Sequence, residues 1–205
     1  MSMVSNRTLG LIVIASVGYV VLVIFAMHFL RPELSPLRVP LSAYVLGAYG
    51  SLMATVPFVW CAAWLGVSYG LVTTLPRTRL NSIAFVVALV VCVGFFVAGS
   101  FPMDFPPPAR TISGRLHLMA GIFTFPAMAL ASSLFSLSIR RGGDWERVST
   151  VTSALSVGII AAYVLMVCSI LVLGFGGYAQ RLLAALLFGW MSVVGFHLRR
   201  TSRAT

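Results

Sequence analysis

Four ionisable side chains lie close together between two long apolar runs of the chain, where charged groups are costly to keep. They are Asp104, Arg110, Arg115 and His117, and three consecutive prolines stand among them. Ionisable residues at membrane depth usually take part in binding, proton transfer or a structural pairing. A carboxylate near an imidazole suits acid–base chemistry, and arginines suit the binding of a carboxylate or phosphate group.

The helix that carries His117 should begin at Thr111, whose hydroxyl can cap it, so His117 lies about 9 Å along that helix at about 1.5 Å per residue. Gly114 and Gly121 fall on the same face and allow a neighbouring helix to approach closely. His117 then packs across a helix interface, contacts a ligand or transfers a proton, or binds a metal. Asp104 either forms a structural salt bridge or pairs functionally with His117 or an arginine.

A second polar group opens the last apolar run. Gln180 and Arg181 follow a pair of glycines, which interrupt the preceding helix, and a helix start favours an anion. Arg38 lies in the first loop and can join them in space. The sequence therefore predicts one binding pocket for an anion, built from three hairpins. Its candidate residues are Arg38, Asp104, Arg115, His117, Gln180 and Arg181.

Cofactor sites are poorly supported by the sequence. His28 and His117 both stand near the same predicted end of their spans, so a haem held between them is a minor alternative. The cysteines Cys61, Cys92 and Cys168 lack metal-ligand spacing and are expected to be small buried residues. The sequence predicts no metal site. Signatures of a serine nucleophile, a P-loop or a zinc protease are also missing.

Composition assigns the chain to the membrane. Hydrophobic residues make up 60% of it and charged residues 9%, which is too few to cover a soluble domain of 205 residues. All 14 basic residues are arginines and the net charge is +10. These arginines stand singly or in pairs beside apolar runs, as membrane-flanking anchors do. Because they form no basic stripe interleaved with aromatic residues, nucleic acid is excluded as a partner.

Six apolar runs approach the ~20 residues that cross a bilayer. We expect one all-α domain over 1–205, a six-transmembrane-helix bundle with spans at about 9–30, 50–75, 80–101, 116–139, 150–175 and 178–198. The first run is too long for a signal-peptide core and precedes no cleavage site, so it is expected to be a retained span.

The distribution of arginines predicts the orientation. With both termini in the cytoplasm, that side holds Arg7, Arg77, Arg79, Arg140, Arg141, Arg147, Arg199, Arg200 and Arg203. The other side holds Arg31, Arg38, Arg110, Arg115 and Arg181. The positive-inside rule therefore favours an N-in, C-in topology, with all six candidate site residues on the extracytoplasmic side.

The order of polar motifs resembles that of a known family. The motif residues are Arg31, Pro32, Arg38, Leu41, Ser42, Tyr44, Gly47, Asp104, Thr111, Gly114, His117, Gly177, Gln180 and Arg181. Over essentially the whole chain they resemble the bacterial six-span proteins of domain-of-unknown-function family 998. The resemblance implies a six-span fold and the bacterial cytoplasmic (inner) membrane, but no reaction.

Three functions remain open at this stage, so whether the protein is an enzyme is uncertain. The leading hypothesis is a sensor, carrier or accessory protein whose pocket binds an anionic lipid headgroup or a small anion. The second is a lipid hydrolase or transferase at the outer leaflet, with Asp104 and His117 as the acid–base pair. The third is a structural subunit of a larger membrane complex. Membrane lipids are the expected partners, together with a homo-oligomer or a membrane complex.

Overall fold

A computed structural model describes residues 4–201, and these form an all-helical bundle. The helices are α1 (Asn6–Leu30), α2 (Gly50–Ala54), α3 (Val56–Thr74), α4 (Arg79–Ser100), α5 (Ile112–Ile139), α6 (Glu146–Leu173) and α7 (Gly177–Thr201). Short 3-10 helices span Leu41–Val45 and Gly143–Trp145. Within the described residues, six segments are long and apolar enough to cross a membrane, with α2 and α3 counted as one. Arg203 lies outside the described residues.

Several helices begin earlier than the apolar runs, because polar residues cap their first turns. The Ser5 hydroxyl accepts a hydrogen bond from the Thr8 amide at 3.2 Å, and α1 starts at Asn6. Thr111 accepts from the Gly114 amide at 2.9 Å, so α5 starts at Ile112, before the apolar run that defined this span. A side-chain acceptor at this position satisfies an amide that would otherwise have no partner.

The second span is divided at Thr55. Helix α2 ends at Ala54, and Pro57 stands at the start of α3, where its missing amide hydrogen costs little. The Thr55 hydroxyl donates to the Leu52 carbonyl at 2.7 Å and shares a hydrogen bond with the Tyr19 hydroxyl at 2.8 Å. These contacts satisfy polar groups at the break and attach it to α1.

The six spans form a closed ring in the order α1, α3, α4, α5, α6, α7, with α7 returning to α1. Both described ends of the chain therefore lie on one side, which we call the termini face, together with segments 75–78 and 140–145. The opposite side carries segments 31–49, 101–111 and 174–176, and we call it the loop face. Helices α1 and α7 pack closely near the termini face, where a Cβ on Gly10 would lie 2.7 Å from the Arg199 amide nitrogen.

A buried hydroxyl cluster joins α5, α6 and α7 towards the termini face. The Ser136 hydroxyl shares a 2.7 Å hydrogen bond with Ser156 and accepts from the Trp190 indole at 2.9 Å. Ser156 also lies 3.2 Å from the Ser132 carbonyl. We call Ser132, Ser136, Thr152 and Ser156 the serine cluster. It fixes the distance between α5 and α6 at this end of the bundle.

The cysteines are free thiols with different degrees of burial. Cys92 is buried, Cys61 is half-buried and Cys168 is exposed on α6. The Cys61 thiol donates to the Cys92 carbonyl at 3.6 Å, which links α3 to α4. The expectation of a buried residue therefore fails at Cys168, because the apolar run around it faces outward and composition alone does not reveal that direction.

Candidate cavity at the loop face

An apolar cavity of about 690 Å³ occupies the loop-face half of the bundle. It reaches from the loop segments down to Met128 on α5 and Leu187 on α7. Leu187 stands ten residues after Gly177, so the cavity extends about 15 Å along the helix axis at ~1.5 Å per residue. Few polar residues line it, and no acidic residue of the described chain does. A volume of this size is typical of small-molecule sites.

Arg38 supplies the positive charge at the cavity mouth. Its side chain is exposed, it lines the cavity, and its guanidinium carbon lies 5.7 Å from the centre of the Phe175 ring. A cation over an aromatic face is held in place without losing its charge. Arg38 therefore combines a preferred position with hydrogen-bond donors that stay available to a ligand.

Gln180 and His117 line the same cavity but already have structural partners. The Gln180 Oε1 atom accepts a hydrogen bond from the Leu41 amide at 2.8 Å. The His117 Nδ1 atom donates to the carbonyls of Phe101 at 2.9 Å and Ala98 at 3.1 Å, at the end of α4. This pattern assigns the ring proton to Nδ1, so Nε2 is the nitrogen with a lone pair.

Asp104 caps helix α5 and does not bind His117. Its carboxylate accepts from the amides of Arg110 at 2.6 Å and Thr111 at 2.7 Å, and from the Thr111 hydroxyl at 2.8 Å. These hydrogen bonds, chiefly those from Thr111, lower the pKa of Asp104 below its ordinary value. Gly114 provides the space for the carboxylate, because a Cβ there would collide with it. The predicted Asp104–His117 pair is therefore not formed.

Arg181 holds the first loop against the bundle. Its Nε atom donates to the His28 Nε2 atom, and its Nη1 atom donates to the carbonyls of Val39 and Gly177, each at 2.9 Å. Its guanidinium carbon also lies 5.6 Å from the centre of the Tyr44 ring. The Nη2 atom is buried with no partner among the described residues. Arg181 does not line the cavity.

The start of α7 is covered by backbone carbonyls. The Tyr178 amide donates to the Leu37 carbonyl at 3.0 Å, and a Cβ on Gly177 would lie 2.7 Å from the Val39 carbonyl oxygen. The first loop thus occupies the position at which the sequence predicted an anion. Arg115, the remaining predicted residue, is exposed on α5 and does not line the cavity.

The haem alternative gains no support from the contacts of His28. Its Nδ1 atom donates to the Ile24 carbonyl at 2.6 Å, and its Nε2 atom accepts from Arg181. Both ring nitrogens are therefore engaged within the protein, whereas an axial ligand needs one nitrogen for iron. Among residues 4–201, His, Cys, Asp and Glu form no group of three that could hold a metal ion.

Comparison with known families agrees with this architecture. The family model described as "Protein of unknown function (DUF998)" matches residues 13–197. The chain belongs to this family. It has no match among curated proteins. No solved structure matches it either.

In this DUF998 protein, the motif residues contact one another on the loop face. Arg31 pairs with Glu33, donates to the Leu46 carbonyl at 2.6 Å, and lies against Gly47, whose φ is +84°. Asp104 contacts Thr111 and Gly114, Gln180 contacts Leu41, and Arg181 contacts Tyr44. Much of the motif set therefore builds the loop-face scaffold, and five of its members also line the cavity: Arg38, Leu41, Ser42, His117 and Gln180.

Replacing Asp104 by Asn should lower the thermal stability of this DUF998 protein and reduce its acid sensitivity. The wild-type carboxylate has a lowered pKa in the folded state, so its stabilisation is present above the ordinary Asp pKa of about 3.9. That stabilisation is lost as the pH falls through the lowered folded value. Melting temperatures in detergent at pH 7 and pH 3 measure both effects. Thr111→Ser, which keeps the capping hydroxyl, is the matched control. If Asp104→Asn and wild type were equally sensitive to acid, the Asp104 carboxylate would not stabilise the start of α5.

Proposed function

We propose that this protein binds an anionic lipid headgroup at the cavity mouth, as a sensor, carrier or accessory protein. The observation that carries the proposal is an apolar cavity of about 690 Å³ whose charged lining residue is Arg38, with no acidic residue of the described chain in its lining. A lone cation beside a low-dielectric interior attracts and orients an anion. Gln180 and Ser42, whose hydroxyl donates to the Met103 sulfur at 3.0 Å, line the same cavity.

The six candidate residues take different parts in this proposal. Arg38 contacts the headgroup, and His117 and Gln180 present polar atoms at the same mouth. Asp104 and Arg181 keep the surrounding segments in place through the hydrogen bonds described above. Arg115 lies on the exposed surface of α5 and adds positive charge to the loop face without entering the cavity.

We place the loop face on the extracytoplasmic side of a bacterial cytoplasmic membrane. The support is the bias of arginines towards the termini face, which the positive-inside rule associates with the cytoplasm. A cavity mouth on the loop face would then meet headgroups of the outer leaflet. Labelling of single introduced cysteines in segments 101–111 and 140–145 with an impermeant thiol reagent tests this orientation, and exclusive labelling at 140–145 in intact cells would reverse it.

The hydrolase or transferase alternative receives no support from these contacts. The Asp104 carboxylate is occupied by the start of α5, and the His117 Nδ1 atom is occupied by the end of α4. An acid–base pair requires the two groups, or a water between them, to meet at the reacting atoms. Lipid binding without turnover is therefore the function that this arrangement favours.

Arg38→Gln should reduce selective retention of an anionic lipid by about tenfold, equivalent to ~1.4 kcal/mol. Native mass spectrometry of protein in neutral detergent measures retention of phosphatidylglycerol against phosphatidylcholine with the same chains. Arg115→Gln is the matched control, because it removes an arginine from the same face outside the cavity. Glycerol phosphate as a competitor separates a small-anion site, which it would saturate, from a lipid site.

Two outcomes would contradict the proposal. Equal retention of both lipids by wild type would show that the protein does not distinguish an anionic headgroup from a neutral one. An equal loss in both arginine variants would show that only the overall charge of the face matters. If equal lipid retention were accompanied by a stoichiometric co-purifying chain or a homo-oligomer, the structural-subunit alternative would be favoured instead.

A further inference from the structure

Helices α5 and α6 are joined by hydrogen bonds towards one end of their shared seam, and towards the other end they line the cavity together. Towards the termini face the serine cluster connects them directly. Towards the loop face, residues of both helices line the cavity, among them Leu118 and Ile122 on α5 and Ile170 on α6. These three apolar side chains are 53%, 51% and 50% exposed. Lining side chains of both helices are therefore half exposed within the segments that can cross a membrane.

Pro126, near the middle of α5, removes a hydrogen bond from the part of this helix that lines the cavity. It lies inside the helix and lines the cavity. Because proline has no amide hydrogen, it cannot donate to the carbonyl four residues earlier, which belongs to Ile122. The stretch of α5 that lines the cavity thus lacks one of the hydrogen bonds that stiffen a helix.

The cavity volume limits what it can hold. At about 30 Å³ for each water-sized group, a cavity of about 690 Å³ accommodates roughly 20 heavy atoms. That is enough for one long hydrocarbon chain and too little for both chains of a phospholipid. Its depth of about 15 Å is half the ~30 Å thickness of a bilayer core.

We propose that one hydrocarbon chain of an anionic phospholipid enters the cavity sideways through the α5–α6 seam while its headgroup stays at Arg38. This inference rests on the proposed function and adds where the chain goes and how it enters. The chain leaves one hydrocarbon environment for another, so no transfer from water drives its entry, and its contacts with the cavity wall replace those with neighbouring lipid chains. The second chain remains in the surrounding bilayer, which the lateral opening permits.

Trp60 provides a reporter inside the cavity. It lines the cavity, is 7% exposed, and stacks on Phe95 with ring centres 4.8 Å apart. The other tryptophans, Trp64, Trp145 and Trp190, are at most 2% exposed and do not line the cavity. Bulk lipid therefore touches none of the four extensively, and a chain in the cavity contacts Trp60.

The test uses the full-length protein in phosphatidylcholine vesicles that contain phosphatidylglycerol brominated on one chain. Bromine quenches tryptophan fluorescence on contact, so we expect the intensity to fall by up to about a quarter, since Trp60 is one of 4 tryptophans. Trp60→Phe should abolish this fall. Brominated phosphatidylcholine should quench less than brominated phosphatidylglycerol, because its headgroup is not anionic.

Gly121→Phe should fill the cavity and reduce the quenching at least twofold. A Cβ at Gly121 meets only Phe125 of the same helix, at 3.6 Å, so the fold should tolerate the substitution. Gly18→Phe is the matched control, because a Cβ there has nothing within 4 Å and Gly18 is exposed on α1. It should leave the quenching unchanged.

The outcomes separate this inference from the proposed function. Equal quenching of wild type and Trp60→Phe, with headgroup selectivity still dependent on Arg38, would overturn chain entry and leave headgroup binding intact. Loss of that selectivity would overturn the proposed function itself. Quenching by brominated lysophosphatidylglycerol but not by the two-chain lipid would show entry from the loop face and overturn the lateral route.

Discussion

Gly177→Ala should destabilise the protein by about 3 kcal/mol, at the upper end of the range for overpacking a dense contact. An added Cβ would lie 2.7 Å from the Val39 carbonyl oxygen, 2.9 Å from the Arg38 carbonyl carbon and 3.0 Å from the Pro36 carbonyl oxygen. All three are backbone atoms of the first loop, so no side-chain rotation can relieve the collision. The loop must move away from α7, which also disturbs Arg38 at the cavity mouth.

The expected destabilisation is opposite in sign to the usual effect of replacing a helical glycine by alanine. Gly→Ala in a helix usually stabilises by up to about 1 kcal/mol, because alanine has less conformational freedom to lose. Gly18→Ala, in an open position on α1, should show that stabilisation. Unfolding by SDS titration, followed by circular dichroism in mixed micelles, measures both variants. If both substitutions stabilised the protein, the close approach of the first loop to α7 would be wrong.

The spans could be predicted from the sequence because their cause is local. A bilayer requires ~20 apolar residues in a helix, and runs of that length are visible without any tertiary information. Helix starts at Asn6 and Ile112 were also within reach, since Ser5 and Thr111 are side-chain caps. The break at Thr55 was harder to foresee, because its hydroxyl is satisfied partly by Tyr19 from another span.

The partners of the polar residues could not be predicted in the same way. Position along a helix gives the level of a side chain in the bundle, but not its direction around the ring. Asp104 and His117 lie towards the same end of the bundle, yet each satisfies a different helix end. Amides and carbonyls at helix ends have no partner within the helix, and it is costly to leave them unpaired in an apolar environment. Nearby polar side chains therefore form hydrogen bonds with them. Arg38, which lies in a loop, keeps its charge exposed.

The cavity itself has no sequence signal. Its lining residues are ordinary membrane-helix residues, such as Met128, Met166 and Leu183. Towards the termini face the serine cluster joins α5 to α6, whereas towards the loop face residues of both helices line the cavity. Such a cavity depends on the packing of the whole ring, so the residues that line it become visible only in the folded arrangement.

Arg181→Gln should lower the free energy of unfolding by about 3 kcal/mol, because hydrogen bonds from a charged donor contribute ~1.5–3 kcal/mol each and the variant loses three. The acceptors lie on three different parts of the fold: His28 on α1, Val39 in the first loop and Gly177 on α7. Part of the loss is offset, because the variant also removes a cation that has no carboxylate partner among the described residues. Arg181→Lys should recover little, since an ammonium group lacks the planar fork that reaches separate acceptors.

A double-mutant cycle with His28→Ala isolates the contact between α1 and α7. We expect a coupling of about 1 kcal/mol between the two substitutions, measured in the same SDS titration. Arg115→Gln, an exposed arginine on the same face, should change stability by less than about 0.5 kcal/mol.

Protease sensitivity then distinguishes a variant that loosens the first loop from a variant that loses lipid selectivity. Arg181→Gln should expose segment 31–49 to cleavage, because its Nη1 bond to Val39 holds that loop. Arg38→Gln should leave the segment protected while reducing selectivity for the anionic headgroup. If Arg181→Gln left both stability and protection unchanged, the arginine would not hold the loop against the bundle.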